Sequence, residues 1–228
     1  MIKKTLSVIL ASFAFFMFAI SNSYSFGGFS IGASLTAGLF EADGAEKEAD
    51  EVISSKDNDV YISYPSLFIE KNFANGFAIG ASIVPQSLDT TTTSRTDVEG
   101  RDAGEASAPT TSDSGTSTVK ASFENFWTAY VEVPVFSTGA YIKGAVVNVD
   151  VTTEENLHTG STYGNEKMDG MAYGFGMRKT LDNDMFFKVE AMYSDFGNIE
   201  LKSETNTANS VNGELEGVTA TFAVGKNF

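Results

Sequence analysis

Apolar residues in this chain recur at every second position, and a β-strand is the regular element that sorts such a pattern onto two faces. Phe29, Ile31, Ala33, Leu35, Ala37 and Leu39 are apolar, while Ser30, Gly32, Ser34, Thr36 and Gly38 between them are small or polar. The final segment repeats this, with Val218, Ala220, Phe222 and Val224 opposite Thr219, Thr221, Ala223 and Gly225. A third places Met171, Tyr173, Phe175 and Met177 opposite Ala172, Gly174, Gly176 and Arg178. Five more segments, near 60–70, 77–84, 119–133, 140–151 and 186–196, bring the count to eight. Parity is open near 60–70 and 140–151, where both faces carry apolar residues.

Connection lengths add independent information. Short turn-rich connections at 72–76, 134–139 and 180–184 alternate with long polar ones at 41–59, 89–118, 152–169 and 197–217. An even-stranded meander with both termini at the short-turn end produces that alternation. The acidic stretch 41–59 predicts a short exposed helix over 45–53. The stretch 89–118, rich in Thr, Ser, Asp and Gly, cannot bury enough apolar area to fold alone and reads as a mobile surface loop.

Alternation also suits a soluble sandwich, so the chemistry of the two faces decides. A soluble barrel fills its interior with large apolar groups, whereas a membrane barrel turns them to lipid. Here the second face carries Gly32, Gly38, Gly80, Gly174, Gly176 and Gly225, together with Glu132, Arg178, Lys188 and Glu190. Lys143 joins them if Tyr141 and Ala145 point inward. A base turned to lipid at the bilayer midplane costs ~2–4 kcal/mol, so these five residues form a candidate lumenal charge network. The expected fold is all-β: an eight-stranded antiparallel up-and-down transmembrane β-barrel over residues 26–228.

Residues 1–25 read as a cleaved signal peptide. Lys3 and Lys4 precede an apolar run from Leu6 to Ile20, and Ser23 and Ser25 give a small-x-small cleavage pattern. At 1.5 Å per residue the run spans about 22 Å of helix, short of the roughly 30 Å hydrocarbon core. Cysteine is absent, which removes disulfides, thiolate metal sites and thiol catalysis. Without Lys3 and Lys4 there are 13 basic side chains against 30 acidic ones, a formal charge of −17, which argues against nucleic acid as a partner. The sole histidine, His158, cannot build a multi-histidine metal site, and its spacing from Glu154 and Ser161 in a loop defines no hydrolytic geometry. Gly174-Phe175-Gly176 lacks the later glycine of a dinucleotide loop, and Asp57-Asn58-Asp59 lacks EF-hand spacing. No catalytic, cofactor or metal residue is expected; Ca²⁺ or Mg²⁺ would gather at the acidic loops as loosely held counter-ions.

The closing strand, Ala220-x-Phe222-x-Val224-x-x-x-Phe228, resembles the terminal signal of bacterial outer-membrane barrels, although Lys226 stands where an aromatic residue is frequent. The mature chain resembles the small eight-stranded family that includes the OmpA transmembrane domain and OmpX. The resemblance implies that Phe222, Val224 and Phe228 form an assembly signal read by the barrel-assembly machinery. It also implies residence in the cell outer membrane as a monomer among lipid and lipopolysaccharide. The OmpA-like relatives plug the lumen with a Glu/Lys/Arg cluster, to which Glu132, Lys143, Arg178, Lys188 and Glu190 are similar in kind. The function it implies is non-enzymatic: envelope integrity and surface interaction (adhesion, recognition, phage attachment) through the acidic loops. A narrow or gated porin-like channel for small solutes is the alternative, and an enzyme ranks third. N-terminal sequencing of membrane-extracted protein should find a mature start near Phe26; a retained Lys3 would refute export through a cleaved signal.

Overall fold

Backbone donors that leave one strand must be met by the next, and here the strands pair in sequence until the last meets the first. The structure is a computed structural model and describes residues 27–48, 51–90, 92–98, 114–135, 138–156, 162–205 and 210–228. Its strands are β1 (Gly28–Glu48), β2 (Glu51–Asn72), β3 (Ala78–Ile83), β4 (Leu88–Asp89), β5 (Thr93–Val98), β6 (Ser114–Val135), β7 (Ala140–Asn156), β8 (Glu166–Thr180), β9 (Met185–Lys202) and β10 (Ser210–Asn227). β3, β4 and β5 are successive pieces of one wall position, all antiparallel to β6. The remaining strands pair with their sequence neighbours, and β10 returns to β1 from Ser30↔Asn227 to Lys47↔Ser210. The result is a closed eight-stranded antiparallel barrel with sequential pairing, as the periodicity requires.

Apolar side chains face outward in a continuous belt. Phe29, Ile31 and Leu35 on β1, Leu67 and Ile69 on β2, Ile79 and Ile83 on β3, and Phe222 and Val224 on β10 are all exposed. In water such a surface would be untenable for a monomer; against lipid tails it is the expected one. Both open parities resolve. On β2, Ser66, Phe68, Glu70 and Asn72 are buried while Pro65, Leu67 and Ile69 are exposed; on β7, Tyr141, Ala145, Val147, Val149 and Val151 turn inward, and so does Lys143. No bulge is needed at either place. One does occur in β6, between Glu124 and Trp127 against β7, where Asn125 takes a positive φ of 49°. The extra residue lets both Phe123 and Phe126 pack on the inner core.

Two expectations change. The helix over 45–53 is absent: Ala45 pairs with Ser55 on one side and Asn212 on the other, so ladders on both edges override the local helical preference. Much of the long polar connections is also strand. β1, β2, β6, β7, β9 and β10 continue past the apolar belt, because polar side chains on both faces signal water around a ribbon and not the end of pairing. Within 89–118, Thr93–Val98 and Ser114–Thr118 form a hairpin ladder; 99–113 lie outside the described residues. The lumen is rich in glycine and filled by rings. A Cβ on Gly32 would strike the Phe68 ring, one on Gly225 the Phe186 ring and one on Gly217 the Phe40 ring. Each glycine is the cross-strand partner that lets an aromatic lie flat across it. The proposed signal segment, 1–25, lies outside the described residues.

Lipid-facing positions should be sensitive to charge. Phe222→Arg is expected to destabilise the inserted barrel by ~2–4 kcal/mol, read as a lower urea midpoint in vesicles from the fluorescence of Trp127, the single tryptophan.

Candidate functional site

At the short-turn end, six ionisable side chains from five strands meet inside the barrel. Lys188 on β9 reaches across the lumen: its Nζ donates to Glu70 of β2 and Glu132 of β6 and lies 3.3 Å from Glu190. Lys143 on β7 holds both carboxylate oxygens of Glu190 at 2.9 Å, with Glu132 at 3.5 Å. Arg178 on β8 donates from Nη1 to Glu70 at 2.9 Å and to Asn72 at 2.8 Å. From Nη2 it donates to Ser30 at 3.0 Å and Asn227 at 2.6 Å. Tyr130 donates to Glu70 at 2.9 Å and Tyr141 to Glu190 at 2.7 Å. Those two tyrosines reach the carboxylates because they lie over Gly80 and Gly176, their cross-strand partners, where a Cβ would meet the rings at 2.4 and 2.3 Å. Three carboxylates face three cations, so the cluster is formally neutral, and it spans the lumen from wall to wall.

All five residues expected from the sequence enter this network. Its sixth member, Glu70, sits at the end of the β2 segment whose parity was open, and its side chain is fully buried. The signal that would have found it is the run Ser66, Phe68, Glu70, Asn72, which shares parity with the lumen once Leu67 and Ile69 are assigned to lipid. Beneath the ions, Ser30 donates to Asn227 at 2.8 Å and Asn72 to Ser30 at 2.6 Å, tying β2, β1 and β10 together. The closing residues Phe222 and Val224 face outward, and Phe228 is tied to β1 by backbone hydrogen bonds with Phe29 at 2.7 and 3.2 Å. His158 and Ser161 lie outside the described residues; among the described ones no cluster of Asp, Glu or His is arranged for a metal.

Above the ions the interior changes character. A cavity of about 100 Å³ is lined by hydroxyls on β1, β2, β3, β6 and β10 and by Phe40, Val147, Met192 and Phe196. Higher still the lumen is apolar, with Val149, Val151 and Met168 buried in the same cluster.

Beside this chamber the wall is interrupted. β2 pairs with β3 only from Leu67 to Asn72, and from Glu51 to Ser66 its described pairing is with β1 alone. β4 and β5 in turn pair with β6 alone. Continued two steps past Leu67↔Ile83, the β2–β3 register sets Ser66 opposite Val84 and Pro65 opposite Pro85. Neither proline has an N–H to give, so the ladder ends where they would meet. Pro65 pairs on its other side with Leu35, which is 59% exposed in the belt, so the break begins at membrane depth. Its inner side is screened by Tyr64 of β2 tilted at 48° against Phe126 of β6, ring centroids 5.3 Å apart. The far side is anchored above the belt, where Asp89 on β4 accepts from Ser122 and from Lys120 at 3.2 Å. Those bonds hold its carboxyl below the ordinary range.

Breaking the ion cluster at its centre should be costly. Lys188→Met leaves Glu70 and Glu132 buried beside a missing cation and is expected to destabilise the barrel by ~3–5 kcal/mol. Adding Glu132→Gln should recover part of that loss, as measured by urea unfolding in vesicles.

No protein-family profile matches the sequence, and no curated protein matches it. Solved structures do. The outer membrane protein OprG from Pseudomonas aeruginosa superposes with a TM-score of 0.54 at 11% identity, covering 91% of this chain and 99% of that one. AlkL gives 0.46 at 12% identity over 91% and 93%, and the outer membrane protease OmpT from Escherichia coli 0.44 at 11% over 87% and 97%. At such identities a likeness concerns architecture alone: this chain has the fold of a small outer-membrane β-barrel, shared with OprG.

Proposed function

We propose that the protein is a non-enzymatic barrel of the outer membrane that admits small apolar molecules from outside and releases them sideways into the bilayer. The single observation that carries this reading is the break between β2 and β4. Lipid offers no hydrogen bonds to a bare strand edge, so unpaired backbone at membrane depth is tolerated where it borders a cavity. Here it borders a chamber whose upper walls are apolar and whose floor is crossed by the ion cluster. A solute entering from the far end meets a charged floor below and a ladder-free wall beside it. In this orientation the short turns face the periplasm and the extended ribbons face outward. A wide diffusion pore is disfavoured, since eight strands leave an interior that side chains fill.

The acidic ribbons favour a second role, contact with surface partners. Glu41 lies opposite Glu216 and Asp43 opposite Glu214, which places carboxylates in cross-strand rows beyond the belt. Such rows would attract Ca²⁺ or Mg²⁺ as diffuse counter-ions beside lipopolysaccharide and could meet an adhesion partner or phage. Phe222, Val224 and Phe228 would serve the assembly machinery as the terminal signal.

The side-entry route is tested by restoring the missing donors. With threonine at both prolines (Pro65→Thr, Pro85→Thr) the ladder can extend, and entry of a radiolabelled apolar solute small enough for the chamber into cells with an intact lipopolysaccharide leaflet should slow. Ion conductance in planar bilayers should stay low in both proteins. Unchanged solute entry would reject the lateral route.

A further inference from the structure

The chamber's lining is divided by chemistry, and the division says what can occupy it. Ser34 and Thr36 on β1, Ser66 on β2, Ser82 on β3, Thr128 on β6 and Thr221 on β10 form an arc of hydroxyls just above the ions. Part of the arc is self-satisfied: Ser34 and Ser66 lie 2.5 Å apart, Thr36 and Thr221 2.9 Å. Ser82 and Thr128, directly opposite one another in the β3–β6 ladder, have no side-chain hydrogen-bond partner among the described residues. They stand beside the wall break, since Ser82 immediately precedes the last rung of β3. Phe40, Val147, Met192 and Phe196 complete the lining with apolar surface.

We infer that this chamber is a binding site for small neutral amphiphiles, molecules with one hydroxyl or similarly uncharged polar head and an apolar body. The inference rests on the side-entry reading and names the class of solute that the route would serve. The head group takes hydrogen bonds from Ser82 and Thr128, each able to donate once and accept twice. The body lies against Phe40, Met192 and Phe196. A charged head has no counter-ion waiting for it. Lys143 and Lys188 are already held by Glu190, Glu132 and Glu70, so an anion would have to strip a cation from its buried partner, and a cation the reverse. The volume limits size as well: a cavity of roughly 150 Å³ accepts benzene, so about 100 Å³ accepts roughly four non-hydrogen atoms, with a flexible five-atom chain at the limit.

The test uses the folded, full-length mature barrel in detergent micelles with methyl-labelled threonine, titrated with 1-butanol, butyrate and butylammonium. Butanol should give saturable shifts at the methyls of Thr36, Thr128 and Thr221, with an affinity at least about tenfold above either ion, because burying an unpaired charge is disfavoured. Replacing the two open hydroxyls (Ser82→Ala, Thr128→Val) should weaken butanol binding about fivefold, the remaining labelled methyls reporting, while heat-modifiable migration on gels stays intact. Equal binding of butyrate or butylammonium, no saturable shift with butanol, or butanol binding indifferent to the double variant would each overturn the site. The solute-entry rates of the proline variant judge the route alone, and the butanol titration judges the site alone, so either reading can fail without the other.

Discussion

A backbone amide in hydrocarbon has nothing to bond with except another strand, and the organisation of this molecule follows from that constraint. Closure of β1 on β10 answers it for every seam of the wall except the one between β2 and β4. Once every strand is fixed between two neighbours, the period of two forces each side chain either to lipid or to the lumen, with no intermediate choice. The apolar belt and the buried ions are then two consequences of one register. The same constraint gives the break at Pro65 and Pro85 its meaning. Loss of pairing beyond the membrane would cost little, since water would satisfy the freed groups. Loss of pairing beside Leu35 lies against a chamber lined by polar groups, where freed backbone groups can be satisfied.

The sequence disclosed the wall far better than its contents. Alternation in β1, β8 and β10 is unbroken, and the short turns carry their own signatures; Gly76 and Gly139 take positive φ angles of 84° and 85° in two of them. Strand number, order and closure followed from those two signals alone. Strand length did not, because polar residues such as those at 41–48 read as loop when their backbone is in fact laddered on both sides. Parity near 60–70 failed to resolve for a related reason. Phe68 and Leu67 are equally apolar, and only the three-dimensional placement of Gly32 opposite Phe68 shows that a large ring can turn inward there. Glu70 was missed through that ambiguity. The rest of the ion cluster was legible because a charge on a strand crossing lipid has one affordable direction.

Glycine and aromatic residues thus work as complementary halves of a single device. A glycine removes the Cβ from one strand, and the ring from the neighbouring strand lies in the vacated space. Phe68, Phe186 and Phe40 fill the lumen by this means, while Tyr130 and Tyr141 use it to present hydroxyls to Glu70 and Glu190. Had the lumen been filled with large aliphatic groups on every strand, the carboxylates would lack these donors, and a half-satisfied buried cluster is worse than an apolar one.

Neutrality of the cluster is what separates floor from chamber. With unequal numbers of acids and bases, residual charge would draw counter-ions through the lumen and favour conductance. Balanced, the three pairs satisfy one another and leave the space above them without a net field. On the proposed reading, selectivity in that space would fall to weaker groups, the hydroxyl arc and the rings above it, through hydrogen bonding and shape. The positions of the two prolines complete the logic. The wall opens beside the layer where polarity changes from ionic to hydroxyl to apolar, so a molecule aligned along that gradient already has its apolar end at the height of the belt outside.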